Sequence, residues 1–258
     1  MENILVTGGT GLLGSEVVRQ LLSRHLRVGI LTTQQDPKVQ AGVEVIHGDL
    51  KSGEGLETAA GFAQTIIHCA SNPRDFNDTD IKGTTNLLKT VEDWPIHFIY
   101  ISIAGIDKTD YPYYVAKREV EEMIEASDLP HTILRTTQFH PFILSLIRSI
   151  LDSNDEVALV PDGMRFQSVD LGEVANQLCR ISQSKPAGLL PEFGGPEVLR
   201  FEDMFESYLR KAGADRQWKT SPVAGPRWDL FRSGVNLVPE NRAGETTWEE
   251  FLNSYSKM

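Results

Sequence analysis

Val6-Thr7-Gly8-Gly9-Thr10-Gly11-Leu12-Leu13-Gly14 decides the fold. The apolar residues Ile4, Leu5 and Val6 lead into it as a strand. Beyond it Leu12, Val17, Val18, Leu21 and Leu22 recur at helical spacing, with Arg19, Gln20, Ser23 and Arg24 on the other face. A strand, a glycine turn and a helix in that order place unpaired N–H groups and the positive end of a helix dipole at the turn, where a diphosphate is bound. Gly8 permits the tight turn, Gly11 lets backbone approach a pyrophosphate, and Gly14 lets helix and strand pack closely. Thr10, Leu12 and Leu13 complete the loop, and the reading is a dinucleotide site.

Working outward, strand and helix patterns alternate. Leu26–Leu31, Val43–Ile46, Thr65–Ala70, Ile96–Ile101 and His131–Leu134 read as strands, and Asp80–Asp93 as a helix stopped by Pro95. Such alternation requires right-handed crossovers and a doubly wound parallel α/β sheet with helices on both faces. Ligands bind beyond the carboxyl ends of its strands. Those ends bring Gly8–Leu13, Thr32–Gln34, Asp49 with Leu50, Ala70–Asn72 and Ser102–Ala104 to one crevice. Thr32, Thr33 and Gln34 stand where an acidic residue would select NAD and a basic one NADP. They leave the two open, with NADP expected ahead of NAD. Asp49 reads equally as an adenine contact and as a turn carboxylate. The small residues Ala70 and Ser71 allow backbone to pass close to the cofactor.

Tyr113 and Lys117, four apart, share a face at the start of the next helix. An ammonium beside a phenol favours proton exchange with a carbonyl or alcohol oxygen, and Ser102, in the loop just past the fifth strand, can steady that oxygen. Lys117 can also reach the nicotinamide ribose. The plainer reading of the pair is two solvated side chains at a helix start. After the sixth strand Gln138, Phe139 and His140 are candidates to line the substrate pocket, although a histidine at a helix start is more often a hydrogen-bonded structural group. The apolar run Ile143–Leu151 reads as a pocket wall or as the face of a homodimer.

The chain carries a net charge of −11, which opposes binding to nucleic acid and to anionic membrane. No apolar run approaches the roughly 18 residues needed to cross a bilayer. The N-terminus enters a strand with no basic region or cleavage site, so a cytoplasmic location is expected. Cys69 and Cys179 match no zinc or redox spacing, no metal is expected, and Cys69 reads as a small core residue.

TGGTGLLG at 7–14, GDL at 48–50, YISIAGID at 100–107, YYVAK at 113–117 and ILRTTQFHPF at 133–142 resemble the short-chain dehydrogenase/reductase superfamily, within it the atypical NmrA-like branch. The likeness extends through QSVDLGEVA at 167–175, GGPEVLRFEDM at 194–204 and TTWEEFL at 246–252. It implies a Rossmann domain over 1–155, with parts of 165–195 returning to it, and a small substrate-binding lobe over 156–258. By resemblance Gly8, Gly11, Leu12, Leu13 and Gly14 hold pyrophosphate, Asp49 meets adenine, and Ser102, Tyr113 and Lys117 are catalytic. The function expected is NAD(P)-dependent reduction of a small carbonyl or quinone-like substrate; the alternative is an inactive, nucleotide-sensing regulator of the NmrA type.

Overall fold

A computed structural model describes residues 2–153 and 155–255. In chain order the elements are β1 (Asn3–Thr7), α1 (Leu12–Ser23), β2 (Arg27–Thr32), β3 (Val43–His47), α2 (Leu56–Phe62), β4 (Thr65–His68), a π-helical segment (Asn77–Lys82) running into α3 (Gly83–Val91), β5 (His97–Ile103), α4 (Pro112–Ala126) and β6 (His131–Thr136). There follow α5 (His140–Leu151), β7 (Ala158–Pro161), β8 (Arg165–Phe166), α6 (Leu171–Ile181), β9 (Gly188–Leu189), β10 (Leu199–Arg200), α7 (Phe201–Ala212), β11 (Trp218–Ser221), α8 (Pro226–Ser233) and α9 (Trp248–Ser254).

Seven of these strands form one sheet in the order β3-β2-β1-β4-β5-β6-β9. Parallel pairing sets Ile4 opposite Val28 on one side of β1 and opposite Thr65 on the other. This is the doubly wound Rossmann arrangement, and its strands read as unbroken apolar runs because both faces are covered. Leu5, Ile66, Phe98 and Ile133 on the sheet pack with Leu56, Ala59, Leu87, Val91, Val120 and Ile124 from the helices, all essentially inaccessible to solvent. The direction of winding reverses between β1 and β4. The connections leaving β1 and β4 therefore run to opposite faces of the sheet, and the crevice that such sheets use for ligands lies beyond these carboxyl ends.

The chain divides into two compact units: Met1–Ser102, Pro112–Arg135 and Val174–Pro191 form one, and Ile103–Tyr111, Thr136–Glu173 and Glu192–Met258 the other. The expected boundary near residue 155 is corrected by this division. The sheet unit ends at Arg135 and the chain continues in the other unit from Thr136, where α5 packs with β7. Within the second unit β7 pairs with β11 in parallel and β8 with β10 antiparallel. Its core is aromatic, with Phe166 lying 4.7 Å from Phe231 and 5.8 Å from Phe201 between ring centres. Ile143, Leu144, Leu146 and Ile147 of α5 are buried. Trp248 is buried too, its indole N–H donating to Ser207 Oγ at 2.9 Å. Among the described residues no helix is long and apolar enough to cross a membrane.

Candidate functional site

The glycine turn behaves as its residues dictate. Gly8 sits at φ +66°, and a Cβ there would stand 2.8 Å from Ala70 N, so the turn lies directly against the chain leaving β4. A Cβ on Gly14 would fall 2.2 Å from Gly8 O. Gly11 is different: it caps α1 in an extended conformation with no side-chain hydrogen bond, and its added Cβ would meet only Gly8 O, at 3.1 Å. The mouth of α1 is thus an exposed cradle of backbone N–H groups, with Thr10 and Leu12 exposed beside it. That geometry fits the two phosphates of a dinucleotide.

Around this mouth the other candidates take graded positions. Thr32 Oγ1 accepts from Gln34 N at 3.2 Å, ordering the end of β2, and Thr33 is exposed there. Asp49 Oδ1 accepts from Lys51 N at 2.9 Å, so its carboxylate is engaged in its own turn. Leu50 corrects the expectation of a cofactor contact through its side chain, which is packed in the sheet core. Ala70 N donates to Thr7 Oγ1 at 3.3 Å, and Ser71 is exposed.

Ser102 lies inside β5 rather than just past it, and its Oγ is buried with no hydrogen-bond partner among the described residues. An orphaned buried hydroxyl costs about 1–3 kcal/mol and is the mark of a group reserved for a ligand or strained for function. Lys117, one turn beyond Tyr113 on α4, is not the solvated cation of the plainer reading, being only 2% exposed. Its Nζ donates to Ile101 O at 3.1 Å, beside Ser102, lies over the Tyr100 ring at 4.2 Å, and stands 3.8 Å from Asp80 Oδ1. Burial pulls its pKa below the usual lysine value, against the opposing pull of Asp80 and Glu121. Glu121 is itself held by Arg135 at 2.6 Å. The Tyr113 hydroxyl meets Ser71 Oγ at 2.7 Å, and Ser71 in turn donates to Asp80 Oδ1 at 2.6 Å. The structure therefore brings Ser71, Tyr113 and Lys117 together around one carboxylate.

Asp80 was not among the residues singled out from the sequence, although a signal existed. Asp80, Thr84, Leu87 and Val91 follow one another at roughly helical intervals, and all four are buried, so the carboxylate sits in the apolar stripe of its helix. His68 was also missed. Its Nδ1 meets Thr7 Oγ1 at 2.6 Å and its Nε2 meets Thr84 Oγ1 at 2.9 Å, which ties the strand before the glycine turn to α3. Burial, with Lys117 nearby, lowers its pKa to about 3. The folded chain consequently binds fewer protons than the unfolded chain between about pH 3 and 6.5, so stability is full above that window and falls as the pH drops through it. Urea unfolding at successive pH values should show this loss in the wild type, and a shallower loss by one proton in His68→Gln; equal slopes would remove the histidine from the account. Burial pushes the Cys69 thiol up to about 12, which leaves it un-ionised and unreactive at neutral pH.

In the second unit, Gln138 Oε1 accepts from Asn236 Nδ2 at 3.1 Å, and Phe139 is half-buried at the head of α5. His140 is a correction. Its ring is wholly buried, Nδ1 meets Ser168 Oγ at 2.8 Å, Nε2 meets Thr246 O at 3.1 Å, and Phe251 stacks on it at 5.0 Å. It ties α5 to the start of α9, with both ring nitrogens engaged.

Comparisons with known proteins agree with this fold. The chain is 25% identical over 231 residues to the chloroplastic protein High Chlorophyll Fluorescence Phenotype 244 of Arabidopsis thaliana, covering 86% of this chain and 58% of that one. It is 34% identical over 159 residues to the human decarboxylating sterol-4-alpha-carboxylate 3-dehydrogenase, covering 58% and 39%. The chain thus spans about half the length of these curated relatives. A solved NADPH-dependent quinone oxidoreductase from Escherichia coli, complexed with NADPH, superposes with a TM-score of 0.80 over 97% of this chain and 99% of that one, at 16% identity, a likeness of fold. The NAD(P)H-binding family model matches residues 8–141, just over half of the chain, and the chain belongs to that family.

Proposed function

We propose that this chain is an NAD(P)-dependent oxidoreductase that reduces a small carbonyl or quinone-like substrate by hydride transfer. The observation that carries the reading is Lys117, buried and anchored on Ile101 O beside the unpartnered Ser102 hydroxyl, one turn from Tyr113. Gly8, Thr10, Gly11, Leu12, Leu13 and Gly14 would hold the diphosphate, Thr32 and Thr33 the adenosine ribose, Asp49 the adenine, and Ala70 and Ser71 the cofactor's passage across β4. The end of β2 exposes Thr33 and Gln34, with no carboxylate before Asp36. Nothing there repels a 2′-phosphate, and NADP is the cofactor proposed. When bound, the reduced nicotinamide supplies the hydride. Ser102 Oγ would then orient the substrate oxygen, Tyr113 would give it a proton, and Lys117 would set the field around that phenol.

Nicotinamide absorbance followed against a panel of quinones and aldehydes tests the reading. Turnover is expected in the wild type, with kcat about 100-fold lower in Tyr113→Phe and the nucleotide affinity unchanged. Undiminished turnover in Tyr113→Phe would remove the tyrosine from the chemistry. Nucleotide binding without turnover of any compound would favour the nucleotide-sensing regulator instead.

A further inference from the structure

The hydrogen bonds around Ser71 have only one consistent direction. A carboxylate accepts and does not donate, so the single hydroxyl proton of Ser71 goes to Asp80 Oδ1, 2.6 Å away. Asp80 Oδ2 meanwhile accepts from Asn72 N at 2.9 Å, and Lys117 Nζ at 3.8 Å balances the charge of the carboxylate. With its proton committed, Ser71 Oγ meets the Tyr113 hydroxyl at 2.7 Å as an acceptor, and the phenol is the donor. Resting on the reading that Tyr113 is the proton-transfer group, we propose that Asp80 is a positioning residue that, through Ser71, holds Tyr113 in its protonated form and so poises the site for reduction rather than oxidation.

Reduction needs a proton donor. The Tyr113 O–H bond breaks, and its proton goes to the substrate oxygen, which gains the electron pair displaced by the hydride arriving from the reduced nicotinamide. Ser71, which is exposed, then turns its own hydroxyl proton from Asp80 to the phenolate left behind and takes a replacement from an acid in solvent. Oxidation would instead need the phenolate at the outset, and a hydrogen-bond chain ending on a carboxylate opposes it. The groups that face this phenol are Lys117 on its own helix, Asp80 from the π-helical segment through Ser71, and Tyr100 from β5, with the rings of Phe76 and Tyr114 beside it. Lys117 pulls toward phenolate, but its charge is shared with Asp80.

The test reads the phenol directly and needs neither nucleotide nor turnover, so its failure is separate from failure of the oxidoreductase reading. Protein labelled with 13C at tyrosine Cζ is titrated by NMR, and Tyr113→Phe identifies the signal. Asp80→Asn is expected to lower the Tyr113 midpoint by about one pH unit, a tenfold change in its ionisation constant, and Ser71→Ala to lower it by about half a unit. Ser71 is exposed, so Ser71→Ala carries the test alone if Asp80→Asn does not fold. A Tyr113 midpoint that stays in place or rises in Ser71→Ala, or in a folded Asp80→Asn, overturns the proposal.

Discussion

Gly11→Asp should weaken NAD(P)H binding by about 1000-fold while the protein keeps or gains stability. The two effects have opposite signs because one position serves both. Gly11 is the N-cap of α1, extended at φ −81° and ψ 177°, a conformation open to any residue, and no side chain caps the helix. Aspartate is among the best N-caps, but glycine caps nearly as well, so the exchange contributes only a few tenths of a kcal/mol. In a chain of this size that raises Tm by about 1 °C at most, less whatever is needed to ease the contact with Gly8 O. The same carboxylate takes the N–H groups meant for the diphosphate and repels its charge. Losing two charge-assisted hydrogen bonds at about 1.5–3 kcal/mol each gives the 1000-fold estimate. Isothermal calorimetry and thermal melts on the same sample check both halves. Unchanged affinity in a correctly folded variant would mean that the phosphates lie elsewhere.

Lys117→Met should cost about 3–5 kcal/mol of unfolding free energy, because it strands the Asp80 carboxylate without its cation. Asp80 is 1% exposed, so water cannot replace the lost charge. The bond to Ile101 O is lost as well, leaving that carbonyl short of one donor. Adding Asp80→Asn to the same chain should restore more than half of the loss, since removing both charges avoids the buried lone one. Urea unfolding of the two single variants and the double gives the cycle. Additive losses would show that the 3.8 Å approach between Lys117 and Asp80 contributes nothing.

The parts of the molecule that follow from local chemistry were legible in the sequence. The strand, glycine turn and helix at Ile4–Leu22, and the apolar strands of the sheet, depend on steric freedom at glycine and on burial, both of which adjacent residues encode. The side-chain network was less legible. Tyr113 and Lys117 are visible as a pair at helical spacing, but the partners that define their chemistry, Asp80 and Ser71, come from a different part of the chain and are brought in by tertiary packing. His140 shows the reverse failure. A histidine next to a strand end looks like a ligand group until Ser168 and Thr246, distant in sequence, take both of its nitrogens. Ser102 shifted from loop to strand because β5 runs on to Ile103, and Asp49 spends its carboxylate on the turn at Lys51. The unit boundary escaped for a related reason: α5 continues the chain from β6, yet its apolar face is satisfied by β7 and its neighbours.

In the proposed binding mode a dinucleotide rests its diphosphate on the backbone amides at the mouth of α1. Titrating 15N-labelled protein with NADPH or NADH measures this most directly. The amide signals of Leu12, Leu13 and Gly14, whose N–H groups open α1, are expected to shift furthest and to saturate at one nucleotide per chain. Saturable binding that leaves those three amides unmoved, or no binding at all, would contradict it.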